Sequence, residues 1–167
     1  FSQWYYIAFS YSEDTDEFRV YKDGEYVRSE TADISIQSTT EDILIENLLG
    51  NMAELRIWNR VLTNQEIETN MSTSISGNET GLIGYWNFNE GTGTTLTDQT
   101  SNENVGTIVG ATWSTDVPAT STGGGDADYQ NVADELIISW SGEDNASGIS
   151  TYEYALGSTS GGTDIVD

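Results

Sequence analysis

The chain carries 28 acidic against 5 basic residues over 167 positions, a net charge of −23 at pH 7, and contains neither cysteine nor histidine. Without those two residue types, Cys–His and Ser–His–Asp nucleophilic sites and zinc sites built on sulfur or imidazole cannot form within it. Nucleic acid and anionic membranes demand clustered Lys and Arg, so neither is an expected partner of a chain whose cations are Arg19, Lys22, Arg28, Arg56 and Arg60.

Reading from the start, "QWYYIAFSYS" and "EFRVYKDGEYV" are strand-like, and Asp23-Gly24 supplies the positive φ angles of a tight hairpin between "EFRVY" and "EYVRS". "ILIENLL", residues 43–49, is an apolar run too short for a free-standing helix and is expected to be buried. In "ELRIWNRVLTNQEI", Leu55, Ile57 and Asn59 alternate with Arg56, Trp58 and Arg60, the period of a strand. The period then changes. Thr63 and Glu66 have the T-x-x-E spacing of a capping box, which predicts a short helix from Asn64 to about Met71. Past this helix, Gly77, Gly81, Gly91 and Gly93 punctuate the chain at turn-like intervals. "STDVPATSTGGGDADYQNVAD" holds the single proline, Pro118, and three successive glycines, Gly123 to Gly125, a linker composition. Beyond it, Leu136, Ile138 and Trp140 alternate, as do Tyr152, Tyr154 and Leu156, and Ile165-Val166 opens a further apolar pair. No apolar run approaches the ~20 residues that span a bilayer, so membrane insertion of this segment is not expected.

Three ordered motifs resemble the laminin-G-like, concanavalin A-type jelly roll. They are the W-x-x-x-A start and Y-x-D-G hairpin held by Trp4, Ala8, Tyr21, Asp23 and Gly24, the strand–helix passage at 54–67, and the closing "GLIGYWNFNEGTGTTLTDQTSNENVGTIVGATW". The resemblance enters at a middle strand and Phe1 is not a start residue, so the chain is expected to be a window on a longer polypeptide, with half a sandwich whose apolar face needs a cover. "ELIISWSGEDNASGISTYEYALGS" resembles the opening strands of a fibronectin type III or immunoglobulin-like module. The expected fold is therefore all-β. It comprises an antiparallel jelly-roll sandwich incomplete at its N-terminus over residues 1–117, a linker at 118–133, and the start of a second Ig-like sandwich at 134–167.

Paired carboxylates are the one acid–base option left by the composition. Glycosidases on this type of jelly roll commonly carry E-x-D-x-x-E or E-x-D-x-E along one strand, and neither pattern occurs; Glu13, Asp14, Asp16 and Glu17 read as a solvated loop beside a hairpin. No catalytic residue is expected. Calcium is the cation that suits carboxylate, amide and hydroxyl ligands, and the D-x-S-x-N-x-N-x-G resemblance of "TDQTSNENVG" nominates Asp98, Ser101, Asn102 and Asn104. The opposing reading is that these side chains satisfy their own turn amides. Glu143, Asp144 and Asn145 form a weaker candidate that reads better as a turn. Trp4, Trp58, Trp86, Trp113 and Trp140 are expected in cores, while Tyr11, Tyr26 and Tyr129 lie nearer loops.

The functional expectation is an extracellular, non-enzymatic adhesion or carbohydrate-binding module of a large bacterial surface protein. Its partners would be a glycan or another surface protein and the rest of its own polypeptide. Two alternatives stand beside it: a stalk or filament segment without a specific ligand, and an accessory region of a secreted polysaccharide-degrading enzyme.

Overall fold

Alternating side chains become strands across most of the chain. The structure, a computed structural model, describes residues 3–31, 42–46, 50–115, 129–131, 135–139 and 151–158. β1 (Gln3–Ser12), β2 (Glu17–Lys22) and β3 (Glu25–Thr31) form a meander, and the β2–β3 turn has Asp23 at φ 52° and Gly24 at φ 80°, the paired positive angles a two-residue hairpin requires. Asp23 does more than turn the chain. Its carboxylate accepts from the Tyr6 amide at 3.0 Å while its own amide donates to the Tyr6 carbonyl at 2.7 Å, which locks the hairpin onto β1.

β4 (Ile43–Glu46) and β5 (Asn51–Trp58) come next, then helix α1 (Asn64–Ser72). The expected capping box is present at Thr63, where the Glu66 amide donates to the hydroxyl and the Glu66 carboxylate accepts from the Thr63 amide at 2.8 Å. β6 (Leu82–Trp86), β7 (Thr95–Leu96), β8 (Val105–Val109) and β9 (Thr112–Ser114) close this part, and β10 (Tyr129–Asn131), β11 (Glu135–Ser139) and β12 (Thr151–Ser158) come from the C-terminal stretch.

These strands build a two-sheet, antiparallel β-sandwich. The larger sheet runs β3-β2-β1-β12-β5-β10-β9, with β6 alongside the far half of β5, and the smaller runs β4-β11-β8-β7. Between the sheets lie Met52, Leu55 and Ile57 of β5, Trp86, Phe88, Leu96 and Ile108. Glu54, at φ 56°, makes a bulge where β5 slips against β12, so Met52 and Ile57 face the same interior although five residues apart. The outer face of the larger sheet is covered too. Tyr6, Ala8, Tyr21, Trp58, Leu82 and Tyr85 pack there with Leu62 and with Ile67 of α1, so the motif residues Ala8 and Tyr21 are fully buried. Gly84 belongs to the first core: a Cβ there would collide with the Trp86 ring.

The C-terminal stretch supplies strands to both sheets. Residues 134–167 read in sequence as the opening of a second module; here β11 lies between β4 and β8, and β12 lies between β1 and β5 with Phe9 opposite Tyr152 and Tyr152 opposite Ile57. β10, from the stretch with linker composition, joins β5 to β9. The physical reason is edge pairing. β1 and β5 each present a full-length row of backbone donors and acceptors, and β12 satisfies both rows at once. Pro118, Gly123 to Gly125, Trp140, Glu143, Asp144, Asn145, Ile165 and Val166 lie outside the described residues.

Candidate functional site

The loop nominated for calcium comes after β7 and is held against β6. Asp98 forms an isolated bridge with Trp86, and Asp98, Thr100 and Asn104 are all buried. Oδ1 of Asp98 accepts from the Tyr85 amide at 3.0 Å and the Thr100 amide at 2.9 Å; Oδ2 accepts from the Thr100 hydroxyl at 2.8 Å and from the Asn104 amide and side-chain nitrogen, both at 3.1 Å. The Asn104 nitrogen also donates to the Ile83 carbonyl at 3.1 Å, as does that of Asn102 at 2.9 Å. Two acceptors on one nitrogen fix the orientation of the Asn104 amide, because a flip would set oxygen against oxygen. The Asn104 carbonyl in turn accepts from the Trp86 indole at 3.0 Å.

Of the four nominated residues, the structure thus brings Asp98, Asn102 and Asn104 together on β6 and leaves Ser101 exposed. The hydroxyl that reaches Asp98 belongs to Thr100, which sequence reasoning passes over although it occupies the serine place of D-x-S. Calcium requires six to eight converging oxygens. Here the groups aimed at the carboxylate are N–H and O–H donors, so the loop as placed does not fit the ion, and among the described residues no group of three or more acidic side chains is placed to hold a metal. Asp98 organises the loop.

Other acidic groups are likewise engaged. Glu54 accepts from the Tyr85 hydroxyl at 2.7 Å and from buried Arg56 at 3.0 Å. Burial, and then the Glu54 carboxylate, push the Tyr85 hydroxyl pKa up, which keeps it a donor. Arg60 grips Glu66 through its two terminal guanidinium nitrogens, at 2.7 and 3.1 Å, and with the Thr63 amide holds the Glu66 carboxyl down at about 2. In the "SEDTDE" loop, Glu13, Asp14 and Asp16 are exposed, and Asp16 accepts from Tyr11 at 3.2 Å.

A different surface stands out on the interior-facing side of the larger sheet. Register places Ile7 opposite Lys22, Phe9 opposite Val20 and Tyr11 opposite Phe18, so these residues share one face, and through Tyr152 it is the face of Ile57. Tyr5, Phe9, Phe18 and Val20 are half-buried there, whereas Tyr11 is buried at 6 % exposure. The Phe9 and Phe18 rings stack with centroids 5.7 Å apart and planes 20° from parallel, and Lys22 sets its ammonium 3.9 Å from the Tyr5 ring centroid. The result is an aromatic ladder with a cation at one end.

Sequence reasoning misses this ladder because it assigns strand aromatics to the core and seeks platforms near loops. Tyr26 is exposed but turns its hydroxyl to Ser29, and the Tyr129 side chain lies outside the described residues. A signal is nonetheless present. Asp23-Gly24 sets the hairpin, and the period of two in Tyr5, Ile7, Phe9 and Tyr11 then aligns one aromatic face. Trp58 and Trp86 are buried as expected, and Trp4 and Trp113 pack partly buried against the first core.

Residues 2–68 match the family model described as the concanavalin A-like lectin/glucanases superfamily. That span holds β1 to β5, the capping box and the whole ladder. No curated protein and no solved structure shows significant similarity to the chain. Residues 2–68 are thus similar to a concanavalin A-like, lectin-type domain, a class that suits a ligand- or carbohydrate-binding module, and the described strands form a two-sheet antiparallel β-sandwich.

Proposed function

We infer that the chain is a non-enzymatic, extracellular carbohydrate-binding module, serving adhesion within a larger surface protein, and that a glycan lies along Tyr5, Phe9 and Phe18. The carrying observation is that half-buried aromatic face, within the span that matches the lectin/glucanase superfamily. Flat rings offer C–H-rich sugar faces a surface that water wets poorly, and Lys22 adds a donor for hydroxyls. A net charge of −23 disfavours uronate- or sulfate-bearing chains, so the ligand is a neutral glycan. Calcium has no part in this reading. Absence of enzymatic activity is supported by the engagement of Glu54, Glu66 and Asp98 in fixed structural hydrogen bonds.

A glycan array followed by NMR titration of the retained neutral sugar tests the reading. Phe9→Ala and Phe18→Ala are each expected to weaken binding at least tenfold, a loss of about 1.4 kcal/mol, with the near-UV CD of the buried tryptophans retained. Retention of no neutral glycan, or binding indifferent to both substitutions, would sink it. The second reading, a stalk segment without ligand, has its own support: Phe9 and Phe18 already stack on each other and Lys22 already caps Tyr5.

A further inference from the structure

β3 ends the larger sheet, paired on one side with β2 and, among the described residues, with no strand on the other. All its residues except half-buried Ser29 are exposed, including Tyr26 at 51 % and Val27 at 54 %. An edge of this length presents backbone donors and acceptors, and proteins blunt such edges with charged side chains, bulges, proline or very short strands. "EYVRSET" has neither proline nor lysine; it carries Glu25, Arg28 and Glu30 and slips register against β2 between Val20 and Tyr21, and those charges are not of one sign.

Its charges are instead self-complementary. Arg28 and Glu30, two apart on one face, form an exposed pair at 3.4 Å. If a second copy of β3 lies antiparallel with Ser29 at the twofold axis, Arg28 of each chain falls opposite Glu30 of the other, and Val27 falls opposite Thr31. Cross-strand pairs of opposite charge favour that register.

The location also minimises repulsion. Two bodies of charge −23 repel wherever their acidic surfaces meet, over a screening length of about 8 Å at physiological salt. Between Glu17 and Thr31, however, Arg19, Lys22 and Arg28 nearly balance Glu17, Asp23, Glu25 and Glu30. The hairpin is therefore a stretch where two copies approach at low electrostatic cost. We propose that the chain self-associates through β3, the Arg28–Glu30 pairs of two copies crossing a twofold axis to join their larger sheets. β3 lies at the rim of the sheet, and its register sets Arg28 opposite Val20 and Glu30 opposite Phe18, beside the ladder, so association is read separately from glycan binding.

Analytical ultracentrifugation of the full chain from micromolar to millimolar concentration provides the test. Wild type is expected to shift from monomer to dimer across that range. Arg28→Glu and Glu30→Arg, each folded by far-UV CD, are expected to remain monomeric alone and to form a heterodimer when mixed. Mixing restores the crossed pairs between chains but not the pair within each chain, so recovery reports the interface alone. A wild type monomeric throughout, single variants that dimerise as wild type does, or a mixture that stays monomeric would overturn the proposal.

Discussion

Asp98 shows how one side chain fixes a loop by offering acceptors to donors that water no longer reaches. Replacing it with alanine strands the amides of Tyr85, Thr100 and Asn104 in a buried site. Each buried donor left unmet costs about 1–3 kcal/mol, so Asp98→Ala is expected to cost about 3 kcal/mol or more in urea denaturation. A calcium ion at a hundred times its dissociation constant would stabilise the fold by about 2.7 kcal/mol; the donors around Asp98 lead us to expect a Tm unchanged by chelator. Glu66 makes a pH-dependent contribution. Its carboxyl is held at about 2, below the ordinary value of 4.5, so its stabilisation is present above pH 4.5 and is lost as pH falls towards 2. With its side chain 38 % exposed, solvent screening reduces the effect to about 1 kcal/mol. Glu66→Gln is expected to lower stability by that amount at pH 7 and to converge with wild type near pH 2, read by chemical denaturation at a series of pH values.

At the scale of elements, α1 is short and is held at both ends. Thr63 and Glu66 cap its start, and Arg56, reaching from β5, donates to the carbonyls of Asn70 at 2.7 Å and Thr73 at 3.5 Å near its end. A cation there also complements the negative end of the helix dipole. Arg56 is 3 % exposed, so Arg56→Met removes the charge opposite half-buried Glu54 and leaves helix carbonyls unmet. The expected cost is about 3–5 kcal/mol, with hydrogen exchange fastest in 64–72. The capping box was legible in sequence because both partners lie within three residues. The Arg56 clasp was not, because its partners lie 14 and 17 residues later and meet it through the fold of the chain. Period two gave the right alternation of Leu55 and Ile57 against Arg56 and Trp58, but α1 buries the second face as well.

For the molecule as a whole, β12 is the element on which the larger sheet turns. It pairs with β1 along its length and with β5 on its other side. Truncation before Thr151 is therefore expected to expose two long inner edges, abolish cooperative urea unfolding and cause aggregation, monitored by tryptophan fluorescence and light scattering. A truncated chain that unfolds with the wild-type midpoint would mean that β1 and β5 do not depend on this strand.

The sequence by itself determined the β class, the Asp23-Gly24 hairpin, the capped helix and the excluded chemistries, because each depends on residue type or on neighbours a few positions apart. Alternation in Tyr152, Tyr154 and Leu156 announced a strand. Which sheet it joined, which hydroxyl reached Asp98, and how Tyr5, Phe9, Phe18 and Lys22 came to share a face were decided by tertiary structure. Strand partners are chosen by the edges available in space, and a period of two is the same whichever edge a strand completes.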